Sequence, residues 1–326
     1  MSRLATALVA RAPLDDLIEQ AHLVEGLGYD RIWLPEISGR DAFVTAAVLG
    51  RETTTIGLGL GVVPLPSRPL PAIEMATAAL AESAPGRIAV GLGAGHRETA
   101  VSQFGWRGTA TPAEVSAAVA ALNVALRDGV LEHRGAGGDR ATLRLQGQHV
   151  PVPPELFVGA LRPRMVSAAT GSADGMLLNW VSRRRAEALC SQAAAETGGR
   201  DFTVAAYVPV CVVDDERARV DAYREVAHQL SSYLQLAAYG NLLAEDGYAA
   251  DVAAVREARR RGADAVAAVT PALVDAVAVI GDVDQVRAGL DRLREAGVDE
   301  PVLAPVVAGD DPAASLLATW AALAPG

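Results

Sequence analysis

Apolar residues along the chain alternate between short continuous runs and longer stretches in which they recur every three or four positions. The run at 4–10 predicts a strand. From Pro13 a helix follows, with Leu17, Ala21, Val24 and Leu27 on its apolar face and Gly28 as its stop. The unit then recurs, with strands predicted at 29–36, 53–63 and 86–92 and helices at 41–51, 69–84 and 112–127. Two short extended pieces around 131–133 and 142–145 predict a hairpin. Further strands fall at 155–159, 175–179, 203–213 and 301–307. Helices at 163–170, 183–197 and 283–296 separate them, and one at 312–323 closes the chain.

Short apolar strands alternating with amphipathic helices imply parallel pairing with helices covering both faces. About eight such units predict an α/β fold of the (β/α)8 TIM-barrel type, with an open doubly wound sheet as the competing arrangement. The segment 215–268 is too long for a single connection, so it reads as a helical insertion after the seventh strand and a place for a substrate lid. No linker or low-complexity tract interrupts the pattern, and 1–326 reads as a single domain.

Composition narrows the chemistry. With 51% hydrophobic residues over 326 positions there is enough apolar material for one large core. Aromatics are only 4%, so Ala, Val and Leu must fill most of it. All 29 basic residues are Arg, which excludes Schiff-base catalysis by lysine and a P-loop lysine. A net charge of -10 repels a phosphate backbone and argues against a nucleic-acid partner, although a local arginine cluster still suits a small anionic cofactor. Residues 1–11 lack the form of a signal peptide, and no apolar run reaches the roughly 18 residues of a membrane helix. Cys190 and Cys211 make neither a disulfide framework nor a metal site. The expectation is a soluble, cytoplasmic protein with no metal, membrane or nucleic-acid partner.

In such a barrel, functional residues sit where strands end and the following loops begin. Four junctions stand out here. The second strand ends at Pro35-Glu36, shortly before Asp41. The third runs through Gly57, Gly59 and Gly61 to Val62. The fourth ends in Gly91-Leu92-Gly93-Ala94-Gly95-His96, and the fifth in Gly159-Ala160-Leu161-Arg162-Pro163-Arg164. Glycine weakens a strand unless backbone must approach something closely. One explanation is small residues filling crowded barrel layers. The other is a flat ring lying against bare backbone, which two glycine runs on neighbouring strands favour.

The stretches GYDRIWLPEISGRDAF (28–43), TTTIGLGLGVVPLPSRPLPAIEMA (53–76), PGRIAVGLGAGH (85–96), LFVGALRPRM (156–165) and ADGMLLN (173–179) resemble, in order and spacing, the bacterial-luciferase-like superfamily. Within it the resemblance is to coenzyme F420-dependent enzymes of the methylenetetrahydromethanopterin reductase type, and it covers about the first 210 residues. The resemblance implies F420, a deazaflavin with an acidic tail, and hydride transfer to or from a C=C, C=N or alcohol carbon of a small organic substrate. It also implies a homodimer and a non-prolyl cis peptide at Gly61–Val62. An FMN-dependent, oxygen-using monooxygenase is the alternative within the superfamily, and a non-catalytic flavin-binding paralogue the alternative of another class.

Carried onto this sequence, the resemblance places the ring against Gly61, Val62, Gly93, Ala94, Gly95 and Asn179, with Trp180 beside it. The phosphate falls at the amides of Gly159, Ala160 and Leu161, where the dipole of the next helix and the side chains of Arg162 and Arg164 assist; the competing role for the two arginines is to solvate a loop. His96 stands where relatives often carry an acid, and imidazole titrates near neutrality, so it is the leading proton donor; a packing role is the alternative. Glu36 and Asp41 are placed at the ring's pyrimidine edge or as alternative acids, while Asp41 equally suits a helix cap and Arg68 an ion pair with either. Tyr233 and Tyr239 of the insertion suit substrate contact or a plain helical core.

Overall fold

The computed structural model describes residues 3–8, 12–37, 39–106, 108–134, 138–147, 150 and 152–325. Its strands are β1 (Ala5–Ala7), β2 (Arg31–Leu34), β3 (Gly57–Pro64), β4 (Ile88–Gly93), β5 (Val130–Arg134), β6 (Arg140–Arg144), β7 (Glu155–Gly159), β8 (Gly175–Asn179), β9 (Thr203–Val212), β10 (Val279–Gly281) and β11 (Glu300–Pro305). The main sheet has the order β10-β9-β11-β1-β2-β3-β4-β7-β8, and β9 pairs with β8 as well, which closes it. Eight strands thus form the parallel barrel expected from the sequence, while the short β10 lies in parallel along the end of β9. β5 and β6 form a separate antiparallel hairpin where two extended pieces were expected. Four successive helical segments between Glu216 and Arg260 follow β9 as the expected insertion.

Local chemistry explains the boundaries. Thr111 accepts from the Glu114 amide at 3.2 Å while Glu114 reaches back to the Thr111 amide at 2.7 Å, and Pro112 opens the helix Pro112–Asp128. Asp282 and Gln285 make the same reciprocal cap on the helix Val283–Glu295. The third strand starts at Gly57 rather than at 53, because the amides of Thr54, Thr55 and Ile56 all donate to the Glu25 carboxylate instead of to a neighbouring strand. Partial burial opposes the charge on Glu25, but those bonds outweigh it and hold its pKa at about 2. The first strand is shorter than 4–10, and residues 9–11 lie outside the described residues. A helix at Arg97–Phe104 was not expected, since its run of mostly polar residues has no apolar face to read.

The chain divides into two compact units, one of Met1–Thr6, Leu178–Gln192 and Val204–Gly326, the other of Ala7–Leu177 and Ala193–Thr203. In the second, two of the chain's few large rings fill the strand interior. Trp33 and Phe157 meet edge to face with centroids 5.2 Å apart, and the Arg31 guanidinium, paired with Glu155, lies 5.3 Å from the Trp33 ring. Each ring lies over a glycine directly across the strand: a Cβ on Gly59 would fall on the Trp33 indole and one on Gly175 on the Phe157 ring. In the first unit, the Trp320 indole donates to Thr6 Oγ1 at 2.9 Å, and that hydroxyl donates to the Leu303 carbonyl. Cys190 and Cys211 are buried there and form no disulfide. No helix among the described residues is long and apolar enough to cross a membrane.

Candidate active site

Within the larger unit, burial lapses where strands give way to loops: β4 is buried throughout, while Ala94, Gly95 and His96 beyond it are half-buried. At the end of β3 the ladder with β4 slips. Leu60 pairs with Val90 but Val63 with Leu92, so Gly61 and Val62 together oppose one position and form a bulge, and the peptide between them is cis. The Val62 side chain occupies a notch that only glycines leave open. A Cβ on Gly93 would lie 2.5 Å from Val62 Cγ2, one on Gly91 2.9 Å from Cγ1, and one on Gly159 3.3 Å from Cγ1. The two glycine runs therefore divide their work. Gly57 and Gly59 make room for Arg31 and Trp33, as crowded layers would demand. Gly91, Gly93 and Gly159 make room for the bulge and leave backbone rather than bulky side chains at the strand ends.

Beyond β4, Gly95 takes a left-handed conformation (φ 77°) against Pro64 and Pro66, and His96 caps the helix Arg97–Phe104 by position, without a side-chain cap bond. Burial lowers the pKa of His96, and the nearby Glu98 only partly offsets this. At neutral pH its imidazole is therefore uncharged.

Glu36, Asp41 and Arg68 form one cluster. Arg68 donates to Glu36 Oε1 at 2.9 Å and to Asp41 Oδ2 at 2.8 Å, and its guanidinium lies 5.1 Å from the Phe43 ring. Asp41 also caps the helix Ala42–Glu52 by accepting from the Val44 amide, while Glu36 accepts from the Ala42 amide at 3.4 Å. Desolvation works against ionised Asp41, but Arg68 and the cap bonds prevail and lower its pKa. Arg40 donates to the Ala12 carbonyl at 3.1 Å. The motif Arg40-Asp41-Ala42-Phe43 thus acts as a bracket at the second strand's end, with most lone pairs of both carboxylates already engaged.

After β7, Arg162 stands at the N-cap of the helix Pro163–Ser172 and Arg164 projects from its exposed first turn. Of the three amides expected to face an anion, that of Ala160 is engaged in the sheet, donating to the Leu177 carbonyl at 3.1 Å. The first turn adds little, because Pro163 has no N–H and the Met165 and Val166 amides donate to the Arg162 carbonyl at 2.9 and 3.1 Å, so the amides of Leu161 and Arg164, with the two arginine side chains, make up the donor set there.

Asn179 belongs to the other unit. Its Nδ2 donates to Tyr239 Oη at 3.0 Å, Trp180 stacks obliquely on Tyr233 at 5.1 Å, and Tyr233 meets Tyr239 edge to face. Burial, with Tyr233 alongside, raises the Tyr239 pKa, so its phenol stays protonated. Sequence reasoning missed the partners of this group, since 60 residues separate Asn179 from Tyr239 and no periodicity links them.

A cleft of about 1150 Å³ opens on the larger unit, lined by Leu65, Pro66, Arg68, Trp106, His133 and Arg134 among others. Of the residues expected at the site none lines it, but it adjoins the site through Arg68, the partner of Glu36 and Asp41, through Pro66 beside Gly95, and through Ala110, whose amide donates to the Ala94 carbonyl at 2.9 Å. Its lining includes Ala117, Ala118 and Ala121 of the helix Pro112–Asp128 and Glu132, Arg140 and Thr142 of the hairpin. Among the described residues no three His, Cys, Asp or Glu side chains converge as a metal site.

Comparison with known proteins adds to this geometry. The sequence profile of the family described as luciferase-like monooxygenase matches residues 1–300. A 5,10-methylenetetrahydromethanopterin reductase of Methanolobus tindarius is 26% identical over 309 residues, covering 89% of this chain and 91% of that protein. Among solved structures, the coenzyme F420-dependent tetrahydromethanopterin reductase of Methanopyrus kandleri superposes with a TM-score of 0.83 at 18% identity, covering 99% of this chain and 98% of the other. A type II Baeyer–Villiger monooxygenase of Pseudomonas putida in complex with FMN superposes with a TM-score of 0.72 at 16% identity, covering 99% and 97%. At these identities the superpositions establish the fold.

Proposed function

We propose, from the premise that the chain belongs to the luciferase-like monooxygenase family, that it is a coenzyme F420-dependent oxidoreductase. It would move a hydride between the deazaflavin and a C=C, C=N or alcohol carbon of a small organic substrate. The observation that carries this reading is the Gly61–Val62 bulge seated on glycines of β4 and β7, an arrangement suited to a planar group at the strand ends. The residues present fit the cofactor. Val62, Ala94 and Gly95, half-buried at the ends of β3 and β4, are the accessible part of the surface assigned to the ring, with Gly61 and Gly93 buried behind them. The amides of Leu161 and Arg164, with the guanidinium groups of Arg162 and Arg164, offer donors suited to a phosphate. Asn179 supplies a side-chain amide. When bound, the deazaflavin supplies or takes up the hydride.

The chain's own part is to orient the reactants and move a proton. His96 is the group proposed for the proton, since its pKa is lowered and it is only half-buried. A neutral imidazole accepts the hydroxyl proton when an alcohol is oxidised. In the reductive direction only the protonated fraction serves, so that rate declines as pH rises through the His96 pKa, below the ordinary 6.5. Glu36 and Asp41 act through Arg68, holding the second and third loops together; Asp41, kept ionised, is a poor proton donor.

The test is a fluorescence titration against F420 and FMN. Micromolar F420 affinity with FMN about tenfold weaker or worse is expected, a gap of about 1.4 kcal/mol. The reverse preference would favour an FMN-dependent, oxygen-using monooxygenase, the reading supported by the likeness to the FMN-bound Pseudomonas putida enzyme. Binding of neither would remove both. His96→Ala with turnover unchanged would remove the proposed role of His96.

A further inference from the structure

The helical insertion meets the end of β8 at two places within one unit. The first is the Asn179–Tyr239 hydrogen bond with the Trp180–Tyr233 stack. The second lies three residues further along the β8 loop. Ser182 Oγ donates to Asp246 Oδ2 at 2.7 Å, Arg185 Nε donates to Asp246 Oδ1 at 2.9 Å, and Arg185 Nη2 reaches Glu245 Oε2 at 3.3 Å. Ser182 also caps the following helix by accepting from the Arg185 amide at 3.1 Å.

Two backbone features set this arrangement apart. Asp246 sits at a kink between the helices Ala237–Leu243 and Ala249–Arg260, where Gly247 leaves the helical region (φ 111°). Trp180, between the two contact points, is the one non-glycine residue with positive φ (49°) among the described residues. That conformation is unfavourable for a bulky aromatic and persists only where its surroundings hold it. Asp246 is well placed to do the holding, since its side chain is 5% exposed and a carboxylate so buried needs the charged and hydroxyl donors it has.

We propose that Asp246 is a positioning residue for the end of β8. Through Ser182 and Arg185 it fixes the segment that carries Trp180 and Asn179, and so couples the insertion to the side chain assigned to the cofactor. The coupling itself is a property of this unit; only its consequence for binding rests on the function proposed above.

Peptide-resolved hydrogen exchange on the full-length protein tests the coupling. In Asp246→Ala, amides in 178–186 and 237–248 should exchange together about tenfold faster than in the wild type. Arg217→Ala, which breaks an exposed pair with Asp310, should match the wild type. Asp246→Asn keeps the shape without the charge and serves if the alanine variant does not fold. Acceleration in one segment only, or in neither, overturns the proposal. A second arm measures F420 affinity for Asp246→Ala, Asn179→Ala and the double variant. Each single change should weaken binding about tenfold and the double no more than either, because one acts through the other. Additive losses, about a hundredfold together, would overturn it. A wild-type protein that binds neither F420 nor FMN would remove the proposed function, and the exchange experiment would still decide the coupling.

Discussion

At the start of β3, Gly59 leaves room for the Trp33 indole, as Gly175 does for Phe157 at the start of β8; near the strand ends, Gly93 and Gly159 leave room for Val62. The residue type and the steric argument are the same, but the beneficiaries differ. In the first region the space is taken by large rings that are fully buried, so glycine there serves packing density. In the second it is taken by a half-buried valine on a bulge, and what results is an altered backbone surface. A glycine in a strand thus signals a close approach without saying whose, and the answer depends on what stands across the ladder.

The largest effect should come from breaking the first region. Trp33→Ala is expected to cost about 3–5 kcal/mol in urea unfolding while leaving the F420 affinity of the folded protein unchanged. A matching loss of affinity would mean that the packed rings and the strand ends are not separable. Gly93→Ala should cost less, about 1–3 kcal/mol of overpacking against Val62, yet weaken cofactor binding. Adding Val62→Ala removes that clash and should restore the stability; if it does not, the notch is misassigned. Asp41→Ala should cost about 1 kcal/mol as a lost helix cap, read from the thermal midpoint.

The smallest expected effect concerns pH. His96 binds its proton more weakly folded than unfolded, so the unfolded chain takes up more protons as pH falls below 6.5. Stability should therefore decline as pH drops from there toward the lowered His96 pKa, and level off below it. His96→Asn should lose that component of the slope. An unchanged slope would show that His96 is not desolvated.

The barrel was legible because its signals are local. Each helix announces itself by spacing and by caps such as Thr111 with Glu114, and each barrel strand by a short apolar run. The motif at 40–43 was legible too, although its meaning differs from a plain acid pair: Asp41 is cap and ion-pair partner at once. The Arg97–Phe104 helix was not legible, because its polar sequence lacks a periodic face. Nor was the start of β3, where Glu25, about thirty residues upstream, takes the amides that a strand would have used.

The sequence alone determined the order of the barrel strands and the eight-stranded parallel architecture, since these follow from periodicity and chain direction. Tertiary structure alone decided which glycines serve Trp33 and which serve Val62, that Ala160 spends its amide on the sheet, that Arg68 joins both carboxylates, and that Asp246 meets Ser182 and Arg185. The physical reason is distance along the chain: sterics and desolvation act between atoms brought together in space, and here Val62 and Gly159 lie 97 residues apart and Ser182 and Asp246 64.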